Sequence, residues 1–131
     1  MLWVEVFAVF VICHLVGDFM LQTNWQATHK IGGLGRDPES RRALISHTLT
    51  YTAAFIPALI WIGAETSAAR AVGVGALVAI PHLLQDDGRV LDAYMRSVKG
   101  VGENPPAGLR LAVDQSGHFI ALFLLALLTT A

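Results

Sequence analysis

Seven side chains in this 131-residue chain could bind metal ions or move protons while lying in otherwise apolar surroundings. They are His14, Asp18, His47, His82, Asp86, Asp114 and His118. Six of them form pairs four residues apart: His14 with Asp18, His82 with Asp86, and Asp114 with His118. In an α-helix that spacing sets both side chains on one face, one turn apart. Each pair therefore offers an imidazole nitrogen and a carboxylate oxygen to the same side, and His47 adds a fourth imidazole. Neutral imidazole with carboxylate is a donor set for a divalent metal ion such as zinc, manganese or iron. Seven donors exceed what one tetrahedral ion takes. The set fits two ions, or one ion whose histidines are oriented by neighbouring aspartates. Asp18, Asp86 and Asp114, costly in lipid, are candidates for ligands or for a catalytic general base. A structural polar network between helices is the other use of the same residues.

The elements that must position these side chains follow from composition. Hydrophobic residues make up 54% of the chain and charged residues 15%, against about 25% charged in a soluble domain. A bilayer takes roughly 20 apolar residues to cross, and four stretches qualify: 2–22, 40–63, 67–87 and 108–131. The expected fold is all-α, a single transmembrane domain built as an integral membrane four-helix bundle. The first stretch has no basic region ahead of it, carries Glu5 and precedes no small-residue cleavage site, so it reads as a span rather than a signal peptide. Asp37-Pro38-Glu39 predicts a capped helix start, and Asn104-Pro105-Pro106 predicts another. Pro57 and Pro81 predict kinks inside the second and third spans. Cys13, the one cysteine, cannot pair within the chain and reads as a small buried hydrophobe.

Basic residues set the orientation. Of nine Lys and Arg, four lie in the connection from Thr23 to Arg42, which takes in the edge of span two (Lys30, Arg36, Arg41, Arg42). Four more lie in the connection from Gly88 to Arg110, which takes in the edge of span four (Arg89, Arg96, Lys99, Arg110). The positive-inside rule then places both long connections in the cytoplasm and both termini outside. With that orientation all seven side chains fall toward the cytoplasmic end. Each paired His lies about 6 Å deeper than its Asp, at ~1.5 Å per residue. The rest of the basic rim reads as topology, or as a contact for lipid phosphates.

The connections carry further signals. Val90, Leu91, Tyr94, Met95 and Val98 share one helical face, which predicts a short interfacial helix between spans three and four. Trp25 reads as an interface anchor, Gly32 to Gly35 as a flexible segment, and His29 as a solvated loop residue. Gln22, Gln85, Gln115 and Asp87 lie level with the cluster and could add polar contacts, whereas Tyr51, one turn after His47, could line the site but reads first as core packing. His14-Leu-Val-Gly-Asp18 parallels His82-Leu-Leu-Gln-Asp86, and Ser46-His47 parallels Gly117-His118, which suggests two repeated helical hairpins. A net charge of −1 and the lack of a phosphate-cradling glycine motif give no reason to expect a nucleic-acid partner.

These residues resemble a family of small bacterial and phage membrane proteins, domain of unknown function 3307. The likeness rests on His14-Leu-Val-Gly-Asp18-Phe19-Met-Leu21-Gln22 with Trp25 following, on His47, on His82-x-x-x-Asp86, and on Asp114-Gln115-x-x-His118. It covers nearly the whole chain. The pattern is less closely similar to that of small membrane-bound proteins labelled metal-dependent hydrolases. The resemblance places the chain in a bacterial inner membrane and supplies no activity. Pro81, directly before His82, departs from the pattern and bears on where that imidazole points.

Two functions follow as expectations. One is a metal-dependent hydrolase with one or two ions near the cytoplasmic face, acting on a lipid or other phosphoester. The segment from Gly88 to Lys99 would serve as its lid. The alternative is a non-enzymatic metal- or proton-handling binding or accessory protein. The expected partners are the lipid bilayer and that substrate, and a second copy of the chain could complete a homo-oligomer.

Overall fold

The apolar stretches fold as helices throughout. The computed structural model describes residues 1–131 and contains seven helices and no strand. Helix α1 (Trp3–Leu15) runs directly into a π-helical turn, Val16–Met20. Short α2 (Asn24–His29) follows, then α3 (Pro38–Ala54), α4 (Ile56–Glu65), α5 (Ala68–Asp86), α6 (Arg89–Ser97) and α7 (Ala107–Thr130).

The helix ends have local causes. Asp37 caps α3 as expected, its Oδ2 accepting from the Ser40 amide at 2.7 Å. That amide holds the Asp37 carboxyl below the usual carboxylate range. At α7 the expectation is corrected: Asn104 makes no cap, and the helix starts directly after Pro106. The kink expected at Pro57 takes the form of a break at Phe55, with α3 and α4 meeting at 48°. Proline suits the first turn of α4, where its missing N–H has no partner to lose. Pro81, by contrast, lies inside an unbroken α5. An unpredicted element is α2, marked by a capping box. Thr23 Oγ1 accepts from the Gln26 amide at 3.2 Å, and Gln26 Oε1 accepts from the Thr23 amide at 2.9 Å. Gln26 Nε2 then donates to Ser46 Oγ at 3.2 Å, fastening α2 to α3.

Three helical segments are long and apolar enough to cross a membrane: Trp3–Met20, Ala68–Asp86 and Ala107–Thr130. The bent pair α3–α4 passes the same test as one unit. Around the interior, α1 lies against α7, α7 against α5, and α5 against α3 and α4, which in turn touch α1 and its π turn. Phe10, Tyr51, Phe55, Ile62, Val78 and Leu122 belong to one buried apolar cluster. The outer faces remain apolar as well: Val72, Ile60 and Leu128 are 74%, 68% and 64% exposed. Large aliphatic side chains exposed along several helices suit a lipid solvent and would be a liability in water.

The connections are more ordered than their composition suggests. Gly32 to Gly35 is docked rather than flexible. The Gly32 amide donates to the Asp87 carbonyl at 2.8 Å and the Leu34 amide to Asp87 Oδ1 at 2.7 Å. A Cβ at Gly33 would lie 2.6 Å from Leu44 Cβ, so only glycine fits that close approach. His29 ends α2 and stacks on Trp25, and Arg42 sits over the same indole. The predicted interfacial helix is α6, on which Val90 and Tyr94 are exposed and only Met95 is buried. At the opposite end, Arg70 Nη1 donates to the Thr129 carbonyl at 3.4 Å, joining the start of α5 to the end of α7.

Candidate metal centre

Asp18, His47, His82 and Asp86 come from the π turn, α3 and α5, and their donor atoms converge on one buried point. His47 Nε2 lies 3.1 Å from Asp18 Oδ1, 2.9 Å from Asp86 Oδ2 and 3.1 Å from His82 Nε2. His82 Nε2 lies 3.1 Å from Asp86 Oδ2 and 3.5 Å from Asp18 Oδ1. A tetrahedral ion with bonds of about 2.0–2.1 Å holds its donors about 3.3 Å apart. Five of the six edges of such a tetrahedron are thus close to that length. The sixth, Asp18 to Asp86, falls within the 4.8 Å spread of the whole group. All four side chains are buried, so the two carboxylates need cationic company to be stable there.

The π turn matters for this convergence. Its wider spacing sits at Val16–Met20 and contains Asp18. Gly17 lets α3 come close: a Cβ there would lie 2.7 Å from Tyr51 Cδ2 and 3.2 Å from Tyr51 Cα. The parallel stretch around Asp86 stays α-helical, so the two His-x-x-x-Asp sequences are alike in spacing and different in backbone. Despite Pro81, His82 points into the group.

A second group shares Asp86. Asp86, Asp114 and His118 also bring donor atoms within 4.8 Å of one another. His118 Nε2 lies 3.3 Å from Asp86 Oδ1 and makes no hydrogen bond. Its Nδ1 faces the Asp114 carbonyl at 2.9 Å. Asp114 is half-buried and the other two are buried.

His14 is placed differently from a ligand. Both its ring nitrogens are engaged, Nδ1 with Tyr51 Oη at 3.0 Å and Nε2 with Gln115 Oε1 at 2.8 Å. Gln115 Nε2 in turn donates to Asp18 Oδ2 at 3.3 Å, so Gln115 bridges His14 to Asp18, whose Oδ2 lies 3.7 Å from His14 Nε2. Tyr51 does more than pack. It is 1% exposed, and its ring stacks on His82 with centroids 3.4 Å apart and planes 5° from parallel. That stack fixes the plane of a donor imidazole. Its position one turn after His47 was the available signal.

Lys30, in sequence only a marker of topology, belongs to the cluster. Its Nζ donates to Asp86 Oδ2 at 2.7 Å, and both side chains are largely buried. With its amide turned to suit its neighbours, Gln22 accepts from the same Nζ at 2.8 Å and donates to the Asp18 carbonyl at 3.0 Å. The Thr23-x-x-Gln26 capping box was the signal for Lys30, because a helix directly after span one returns the chain to the cluster. Asp87 holds the Gly32–Gly35 segment and pairs with Arg89 at 3.1 Å. Gln85 donates to the Pro81 carbonyl at 3.3 Å, within its own helix.

A cleft of about 300 Å³ opens onto the cluster. Asp18, Asp86 and Asp114 line it together with Lys30, Arg110 and Gln22. Arg110 also pairs with Asp92 of α6. Buried donors at the end of an open, partly cationic cleft could hold a metal ion within reach of a small polar molecule.

No curated protein and no solved structure matches the chain. A family model does match it, over residues 6–131, and its description names no activity. That match takes in every residue of both donor groups, and on it the chain belongs to the family described as Protein of unknown function (DUF3307).

Proposed function

We propose that this protein is a metal-dependent hydrolase of a bacterial inner membrane, acting on a phosphoester and most naturally on a lipid one. In this reading the bent pair α3–α4 is one span, and a four-helix bundle forms the single domain. The basic connections lie in the cytoplasm, both termini lie outside, and the cluster faces inward. The observation that carries the reading is the near-tetrahedral convergence of Asp18, His47, His82 and Asp86 at the end of an open cleft. A divalent ion there that takes water from the cleft as a fifth ligand would activate that water and polarise a phosphoryl oxygen. Lys30 and Arg110 on the cleft wall would meet the phosphate charge. The three aspartates would act first as ligands, since each belongs to a donor group. Zinc, manganese and iron all suit the donors.

The test is elemental analysis of protein purified without chelator, followed by assay on a phospholipid and on a small aryl phosphodiester. At least one ion per chain is expected, with depletion in Asp18→Asn and His82→Ala. Hydrolysis should stop with chelator and return with manganese or zinc. Less than about 0.2 ion per chain after gentle purification would end the metal reading. Metal without hydrolysis would favour the non-enzymatic alternative, a metal-handling accessory protein. One observation supports that second reading: Lys30 already contacts Asp86, as an internal cation that a metal would exchange with.

A further inference from the structure

We propose that the protein holds two ions rather than one, with Asp86 bridging them. This rests on the reading that the first donor group binds a metal. Asp86 is 2% exposed, and its two oxygens face opposite ways. Oδ2 faces His47, His82 and the Lys30 ammonium, which the inner ion would displace, whereas Oδ1 faces His118. A carboxylate sharing its oxygens between two imidazole sets is the geometry of a bridging ligand, and two-metal hydrolytic sites hold their ions about 3.5–4 Å apart.

His118 supplies the independent observation. It is 2% exposed, and its Nε2 is buried with no hydrogen-bond partner. Its Nδ1 lies 2.9 Å from the Asp114 carbonyl, which can only accept, so Nδ1 carries the proton. In the neutral ring Nε2 then presents a lone pair toward Asp86 Oδ1 at 3.3 Å. A lone pair against a carboxylate is repulsive unless a cation lies between them. The carbonyl bond also has the form of the outer-shell contact that orients a metal-binding histidine.

The two sites differ in access. The first group is wholly buried. The second includes Asp114, whose side chain is 22% exposed and lines the cleft. Three protein ligands leave positions open for water and substrate, as a catalytic site requires. Both ions are held through desalting; the inner one is shielded from solvent, and the outer one is open to water and substrate.

The experiment uses the full-length protein in detergent, loaded with manganese and desalted. Metal analysis should give two ions per chain, and electron paramagnetic resonance should show an exchange-coupled pair. Asp114→Asn and His118→Gln should each fall to one ion and show the six-line spectrum of isolated manganese. Size-exclusion profiles should remain those of the parent, because Asp114 lies on the cleft wall. One ion in the parent protein would overturn the bridged pair and leave the first site standing. Two ions with an uncoupled spectrum, or two in both variants, would overturn it equally. No ion in the parent would remove both sites.

Discussion

At the scale of residues, spacing and partnership are separate kinds of information. His82 with Asp86 and Asp114 with His118 were legible because four-residue spacing acts within one helix. The level of Gln115 and Tyr51 beside the cluster was legible too, but their partners and the whole role of Lys30 were not, because these contacts bridge 101, 37 and 56 positions and depend on how helices meet. The same limit explains His14. Its spacing from Asp18 is that of a ligand pair, yet its ring is claimed by Tyr51 and Gln115. Lys30 leads to a prediction at this scale. Its ammonium competes with a dication for Asp86 Oδ2. A hydrogen bond between charged groups is worth about 1.5–3 kcal/mol, so Lys30→Met should tighten metal binding by roughly tenfold or more. Competition with a chelator of known affinity reads this directly. Unchanged or weaker binding would make Lys30 a supporting residue rather than a competitor.

At the scale of elements, helix existence was legible and helix continuity was not. Apolar length announced each span, but it could not show that α3 and α4 break at Phe55. Nor could it show that α1 widens into a π turn at Val16–Met20. Pro57 signals the first of these locally, whereas the π turn sits where Tyr51 approaches Gly17. That approach makes Gly17 the tightest of the helical glycines. Gly17→Ala should cost about 1–3 kcal/mol through overpacking and weaken metal binding by displacing Tyr51 from His82. Gly73→Ala is the control, since a Cβ there meets nothing within 4 Å. Thermal unfolding in detergent should separate the two, and equal midpoints would show that the π turn adjusts freely. The ordering of Gly32 to Gly35 was hidden for a related reason. Glycine composition signals permissive backbone, and only the fold reveals that Asp87 holds it in place.

At the scale of the molecule, the alignment of charges was the most readable feature. Eight basic residues lie in two connections, and the donors lie at the same end of the helices as both. Orientation is testable on its own. Arg36 and Arg96 are exposed, and Cys13 is buried, so a cysteine placed at either arginine is the site an impermeant reagent reads. Labelling in intact cells should be absent and should appear after permeabilisation; labelling from outside would reverse the topology. The two ends of the interior are unlike. One end opens through the cleft, while beyond Tyr51 the interior is filled by Phe10, Phe55 and Ile62. A cleft that serves both metal and substrate has a kinetic property that no single residue has. In the proposed hydrolase an ion leaving by this cleft would share the substrate's path, so an occupied cleft would cork the metal, and turnover and metal loss would alternate rather than coincide.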